Sequence, residues 1–152
     1  MQIVEARTHE DFDAARRLFR EYATTVGVDL EFQHFEDELA AIETLYAPPT
    51  GALLLLRQGR ETVGCVGLRQ LGNDAEMKRL YVMPAMRGYG GGRALVEAIC
   101  NKARDLGYHR VFLDTLPSMI EAQALYEAMG FVETAAYYDN PIAGSKFLVK
   151  EL

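Results

Sequence analysis

The sequence predicts an α/β fold in which helices cover a mixed β-sheet, and three observations lead to it. Segments with apolar residues at every third or fourth position, typical of helices, alternate with short continuous apolar runs, typical of buried strands. Residues 58–60 and 71–74 separate consecutive runs by lengths that are usual in antiparallel hairpins. A later pair of runs, 75–83 and 111–114, is separated by a helical segment, which makes this pair parallel.

The first third of the chain contains one strand and two helices. Residues 3–7 predict the strand, and Thr8 followed by Asp11 is typical of a helix start. Apolar residues then keep helical spacing up to Gly27, which ends this helix. After a linker at 28–33, a second helix carries three consecutive acids in its first turn, where the helix dipole favours them, and two prolines end it.

The remainder of the chain is predicted to contain six strands and two helices. The strands are 52–57, 62–70, 75–83, 111–114, 131–138 and 146–152, and the helices end at Gly107 and Gly130. The predicted order is therefore β-α-α-β-β-β-α-β-α-β-β. Since the sequence contains no internal repeat and no linker rich in glycine, serine or proline, we expect a single domain over 1–152.

Composition restricts the class of protein. The chain has 152 residues, of which 49% are hydrophobic and 25% charged, as in an ordinary globular domain. A net charge of −6 argues against nucleic-acid binding. The apolar block 52–56 is too short to cross a bilayer, and the first residues do not resemble a secretory signal, so we expect a cytoplasmic protein without membrane contact. Cys65 and Cys100 lack CxxC spacing, and we expect reduced core cysteines and no metal site.

A cluster of glycines directly follows the strand at 75–83. Its members are Gly88, Gly90, Gly91 and Gly92, and an amphipathic helix begins after them. Because glycine inside regular structure costs about 1 kcal/mol relative to alanine, the cluster predicts backbone N–H groups that approach a ligand closely. The positive end of the helix favours an anion, most often a phosphate. The cluster lacks the lysine of a Walker A loop, and Arg93 stands where a dinucleotide fingerprint needs its third glycine.

The pattern R-x-x-G-x-G at 87–92, preceded by V-x-P at 82–84, resembles the acetyl-coenzyme A loop of the Gcn5-related N-acetyltransferase (GNAT) superfamily. The stretch L-Y-x-x-x-G-F at 125–131 resembles the second motif of that family, and the order of elements agrees along almost the whole chain. The resemblance implies a GNAT-like fold and an N-acetyltransferase. Such an enzyme moves an acetyl group from acetyl-CoA to a primary amine by direct attack on the thioester. Homodimers are common among relatives.

The resemblance also implies where coenzyme A binds. The pantetheine arm would follow the strand before the loop, with an N–H near Val82 facing the thioester carbonyl as an oxyanion donor. The loop N–H groups would hold the diphosphate. Many relatives carry an asparagine where this chain has Met119, so either Ser118 replaces its contact or the contact is absent. The expected cofactor contacts are Leu80, Tyr81, Val82, Arg87, Gly88, Tyr89, Gly90, Gly91, Gly92, Arg93 and Ser118.

Two residues are candidates for proton transfer. The two-residue period of a strand predicts that Glu76 shares one face with Lys78, Leu80 and Val82. Relatives often use a carboxylate near this position as a general base, although a plain ion pair with Lys78 explains Glu76 equally well. Tyr126 matches the family tyrosine near the coenzyme A sulfur, which can protonate the leaving thiolate. Its alternative role is that of a core residue.

The acceptor is expected between the first two helices and the last strand pair. Phe32, His34 and Phe35 could face residues 137–141, and aromatic side chains with an acid suit an amine with an apolar body. Helix packing explains Phe32 and Phe35 equally well. A non-catalytic CoA-binding sensor or partner-binding module is the alternative function, and a binder of another nucleotide phosphate is a third. The sequence leaves the acceptor open among a polyamine, an amino acid, an antibiotic, a peptide N terminus and a protein lysine.

Overall fold

In the computed structural model, a seven-stranded mixed sheet with the order β1-β2-β3-β4-β5-β7-β6 forms the frame of the chain. The structure describes residues 1–27, 29–31 and 34–152. The strands are β1 (Gln2–Glu5), β2 (Ala52–Gln58), β3 (Glu61–Leu71), β4 (Asp74–Val82), β5 (Arg110–Thr115), β6 (Val132–Thr134) and β7 (Lys146–Glu151). The helices are α1 (His9–Val26), α2 (Phe35–Ala40), α3 (Ile42–Leu45), α4 (Gly91–Asp105) and α5 (Ile120–Ala128). The predicted fold class is therefore confirmed.

Both faces of the sheet are buried. Leu53 and Leu55 of β2 pack with α1, α2 and α3, whereas Leu54 and Leu56 pack with α4. Side chains of a strand alternate between the two faces, so a strand covered on both sides is apolar throughout. This accounts for the continuous apolar run at 52–56. Within the described residues, no helix is long and apolar enough to span a membrane.

The predicted boundaries of α1 are confirmed by its caps. The backbone N–H of Asp11 donates to the Thr8 hydroxyl at 3.1 Å, and the N–H of Thr8 donates to the Asp11 carboxylate at 3.1 Å. This reciprocal capping box satisfies two N–H groups that a helix start otherwise leaves unpaired. Gly27 ends the helix in the left-handed conformation, with φ +70°.

Two predicted elements differ from the observed ones. The single second helix is in fact two short helices, α2 and α3, because Ala41 leaves helical geometry with φ −107° and ψ 18°. The strand predicted at 131–138 ends at Thr134. Tyr137 and Tyr138 lie beyond the strand, and both rings pack edge-on against Phe147 at centroid distances of 5.1 and 5.4 Å.

A β-bulge in β4 changes which side chains share a face. Lys78 lies opposite Gly67 and Tyr81 opposite Cys65, so β4 contains one more residue than β3 between these pairs. Arg79, within the bulge, adopts φ +60°. Beyond it, Leu80 and Val82 pack on the α4 side. The prediction that Glu76 shares a face with those two residues is wrong, because the bulge shifts the two-residue period. Glu76 and Lys78 do share a face.

Strands β4 and β5 pair over two positions, Ala75 with Val111 and Glu76 with Phe112. Beyond these positions the strands separate, and a cleft opens between them. The parallel direction predicted for this pair is confirmed. The separation is what positions the candidate site, since it exposes one backbone edge of β4 inside the sheet.

Candidate active site

The cleft between β4 and β5 contains side chains from both strands, from α5 and from the residue before α5. Lys78 and Leu80 come from β4, Asp114 from β5, and Met119 and Tyr126 from the α5 region. Two of these residues, Leu80 and Tyr126, were predicted as site residues. Ser118 is exposed and is not among the residues that line the cleft, whereas its neighbour Met119 is. The contact expected of Ser118 stays a prediction.

The backbone N–H of Val82 is oriented away from β3. The N–H of Met83 bonds to the carbonyl of Val63 on β3 at 2.8 Å. In an extended chain, the carbonyl and N–H of the preceding residue point to the opposite side. The carbonyl of Val82 accordingly accepts from Arg87 Nε, at 2.9 Å, rather than from β3. The N–H of Val82 therefore points away from β3, toward the side where β5 has separated.

The glycine turn supplies an open cradle at the start of α4. Gly88 and Gly90 adopt φ +87° and +83°, a region that only glycine enters readily, and the space beside their Cα atoms is empty to 4 Å. Gly90 caps α4 without a side-chain hydrogen bond, so the first-turn N–H groups have no acceptor within the helix. Gly91 packs tightly, since a Cβ there would lie 2.6 Å from Leu56 Cδ2. Such a cradle fits a diphosphate.

Cations flank the glycine turn. Arg87 is exposed, and its guanidinium lies 5.7 Å from the centre of the Tyr81 ring in addition to bonding the Val82 carbonyl. Arg93 is exposed and lines a second cleft with Arg104 and Lys150. Tyr89, at the tip of the turn, is 71% exposed. The turn thus combines backbone donors with side-chain charge, as the sequence predicts.

Glu76 is hydrogen-bonded by Tyr137, a residue that was predicted only as part of the acceptor region. The Tyr137 hydroxyl donates to Glu76 Oε2 at 2.6 Å, and Lys78 Nζ lies 3.9 Å from Oε1. The Glu76 side chain is 12% exposed. Burial, and then the charge of Glu76, raise the pKa of Tyr137 well above its ordinary value. Tyr137 therefore remains a protonated donor, and Oε1 of Glu76 lies beside Lys78, which lines the cleft.

A second carboxylate on the same face was missed from the sequence. Asp114 accepts a short hydrogen bond from the Tyr138 hydroxyl and a 3.2 Å hydrogen bond from Asn140 Nδ2. It lies two positions beyond Phe112, the partner of Glu76 in the parallel register. The signal available in the sequence was a single acid at the end of the otherwise apolar predicted strand 111–114.

Tyr126 is buried where α5 meets the cleft. Tyr126 is 5% exposed, and its ring packs on Phe131 at a centroid distance of 5.6 Å. Burial raises the pKa of Tyr126 above its ordinary value. The hydroxyl is therefore a neutral donor that lines the cleft, and its core and functional roles are compatible.

A buried ion pair fixes the bulge in β4. The Arg79 guanidinium donates to both carboxylate oxygens of Glu38, and the Tyr46 hydroxyl donates to Oε2 of the same residue at 2.8 Å. Arg79 also lies over the rings of Tyr22 and Phe35, at 5.7 and 5.2 Å. This network attaches α2 to the strand that carries Glu76 and Val82.

Of the three residues predicted for one side of the acceptor site, Phe35 is part of this network. Phe35 is 6% exposed and packs under Arg79, as the core alternative requires. His34 is exposed, and Phe32 lies outside the described residues. Cys65 and Cys100 are buried, and burial raises the pKa of both thiols. Across the described ranges, no group of three or more His, Cys, Asp or Glu side chains is arranged to hold a metal ion.

Comparisons with known proteins agree with this geometry. The model of the acetyltransferase (GNAT) family matches residues 7–131. An uncharacterized N-acetyltransferase of Schizosaccharomyces pombe is 38% identical over 155 residues, which cover 100% of this chain and 95% of that protein. A GNAT-family acetyltransferase from Staphylococcus aureus superposes with a TM-score of 0.82 at 19% identity, covering 99% and 98% of the two chains. PaiA N-acetyltransferase from Thermoplasma acidophilum, solved in complex with coenzyme A, gives a TM-score of 0.75 at 18% identity over 100% of both chains.

Proposed function

Because the chain belongs to the acetyltransferase (GNAT) family, we propose that it moves an acetyl group from acetyl-CoA to a primary amine by direct attack on the thioester. The observation that carries the proposal is the cleft between β4 and β5. Tyr126 lines this cleft, Glu76 lies next to Lys78 of the same lining, and the glycine turn follows the end of β4. The neighbour solved with coenzyme A supports the choice of donor.

The donor is held at two places. The N–H groups of 88–93 bind its diphosphate, and Arg87 and Arg93 add positive charge. The pantetheine arm follows Leu80, Tyr81 and Val82, where the edge of β4 is open. Ser118 completes the set if it reaches the arm.

The transfer step requires one proton acceptor and two donors. Glu76, directly or through a water molecule, takes the proton of the amine, whose nitrogen then forms a bond to the thioester carbon. The N–H of Val82 donates to the carbonyl oxygen as it gains negative charge. The carbon–sulfur bond breaks, and Tyr126 donates to the sulfur that leaves with the bonding electrons. The products are an N-acetyl amine and free coenzyme A.

The pKa of Tyr126 is consistent with the last role. Because burial raises the pKa of this hydroxyl, it keeps its proton at neutral pH. It is therefore present as a donor at the moment when the sulfur becomes an anion. A buried donor also makes a stronger hydrogen bond than a solvated one.

The test is thiol release from acetyl-CoA with a panel of amines. Glu76→Gln and Tyr126→Phe should each lower kcat by about 100-fold or more, with an unchanged Kd for coenzyme A. Glu133→Gln, at an exposed position of β6, is the matched control and should keep full activity. If both site variants keep full activity at every pH, the assigned roles are wrong.

Two outcomes distinguish the alternatives. Coenzyme A binding without thiol release from any amine would indicate a non-catalytic sensor or partner-binding module. Protection from heat by ATP and not by coenzyme A would indicate another nucleotide-phosphate binder. The predicted cytoplasmic location and homodimer belong to the same proposal and are measured by cell fractionation and light scattering.

A further inference from the structure

Lys78 is a buried cation that the proposed chemistry does not use. Its side chain is 10% exposed and lines the cleft together with Asp114. Among the described residues its ammonium donates no hydrogen bond, and the 3.9 Å to Glu76 Oε1 exceeds hydrogen-bond distance. Burial lowers the pKa of Lys78, although the charge of Glu76 acts in the opposite direction. A buried charge normally has hydrogen-bonded partners, and this one faces a cleft instead.

The other charged groups of this face already make hydrogen bonds, and the negative charge of Asp114 acts on Lys78. Arg79 bonds both oxygens of Glu38, so this pair is electrically neutral. Oε2 of Glu76 is bonded by Tyr137, and Asp114 is bonded by two side chains of the segment after β6. The ammonium of Lys78 therefore keeps its hydrogen-bond donors unused beside the cleft, in the part of the chain that the structure describes.

Glu76 Oε1 and Lys78 Nζ present an acceptor and a donor of opposite charge side by side. A simple amine satisfies Oε1 and leaves the ammonium of Lys78 without a hydrogen-bond acceptor. A molecule with a second cation, such as a polyamine, brings like charge against the lysine at low local dielectric, which is unfavourable. A molecule with an amine and a carboxylate on one carbon atom satisfies both groups at once.

We propose that the acceptor is an aminocarboxylate, either an amino acid or a close analogue, whose carboxylate binds Lys78 while its amine faces Glu76. This inference rests on the proposed function, because it specifies the amine of that reaction. The apolar side chains of the same cleft, Leu30, Leu116 and Met119, then contact the body of the acceptor.

The first experiment compares each standard amino acid with its amide and its decarboxylated amine in the thiol-release assay. We expect kcat/KM for the best amino acid to exceed that of its amide by about tenfold or more, the effect of a charge-assisted hydrogen bond. The amide has the less basic amine and is more often neutral, so intrinsic reactivity works against this result. Equal rates without the carboxylate would overturn the inference.

Two variants separate recognition from a structural role. Lys78→Met should raise KM for the amino acid about tenfold and leave its amide unaffected, whereas Lys78→Arg should restore part of the preference. Lys146→Met, at an exposed position of β7, is the control. An equal loss for amino acid and amide would mean that Lys78 only stabilises the fold.

Product binding gives a readout that does not depend on turnover. By calorimetry with coenzyme A present, the N-acetyl amino acid should bind about tenfold more tightly than its N-acetyl amide, and Lys78→Met should abolish the difference. Acetylation of other amines with none of the amino acids would overturn this inference and leave the proposed function standing. Absence of thiol release with every amine would instead count against the proposed function.

Discussion

The Arg79 guanidinium bonds the two carboxylate oxygens of Glu38 at 2.8 and 3.0 Å, and each side chain is 2% exposed. The pair joins α2 to the bulge of β4, where Arg79 has a positive φ. Left-handed backbone is costly for a residue with a Cβ and persists where surrounding contacts enforce it. The ion pair is such a contact. In the sequence, Arg79 stands directly between Lys78 and Leu80.

Removal of this pair should destabilise the chain strongly. Glu38→Gln leaves a buried guanidinium without its counter-ion, and we expect a loss of about 3 kcal/mol in the free energy of unfolding, measured by urea titration. Glu36→Gln is the matched control, because Glu36 pairs with Arg20 at the surface and both side chains are about 60% exposed. That change should cost under about 0.5 kcal/mol. Equal effects would refute a structural role for the buried pair.

The same pair makes stability depend on pH in acid. Burial raises the pKa of Glu38, but hydrogen bonds and charge from Arg79 outweigh it, and the net pKa lies below the ordinary 4.5. The stabilisation is therefore complete above that value and is lost as pH falls below it through the folded-state pKa. We expect the difference in stability between the wild type and Glu38→Gln to shrink as the pH falls from about 7 to about 3. A constant difference would contradict the assignment.

Tyr137 should affect turnover more than donor binding. Tyr137→Phe removes the hydrogen bond to Glu76 Oε2 and keeps the ring packing on Phe147. Hydrogen bonds to charged groups contribute about 1.5–3 kcal/mol, so kcat/KM for the amine should fall by about 10-fold or more, with KM for acetyl-CoA unchanged. Tyr108→Phe, which removes a bond to the carbonyl of Thr50, is the control and should leave kcat/KM intact. Similar losses in both variants would indicate a general effect on stability.

Two neighbouring glycines should tolerate alanine differently. Gly91→Ala places a Cβ 2.6 Å from Leu56 Cδ2 in the core, and we expect a loss of about 1–3 kcal/mol in thermal or urea unfolding. Gly92→Ala meets Leu125 Cδ2 at an ordinary 3.6 Å and should be close to neutral. Leu56→Val should recover part of the loss in the Gly91→Ala background, because it removes the obstructing methyl group. Additive effects would show that the two sites are not in contact.

Local sequence rules predicted what depends on local structure. The caps of α1, the glycine turn and the parallel β4–β5 pair follow from residue types and spacings, and all three are observed. The prediction that Leu80 and Val82 share a face with Glu76 was wrong, because a bulge has no reliable signature in the sequence of the strand itself. The Glu38–Arg79 pair and the Tyr137–Glu76 bond join residues 41 and 61 positions apart. Only the folded chain brings such residues together.

The pairing of β4 with β5 covers two residue pairs, with β1 to β4 on one side of this junction and β5, β7 and β6 on the other. These two pairs are Ala75 with Val111 and Glu76 with Phe112. A bound molecule whose amide groups pair with the open edge of β4 extends the hydrogen bonding at this junction. Donor binding should then protect this junction against local opening. Amide hydrogen exchange at Leu80 and Val82 would slow first, before any change at the outer strands.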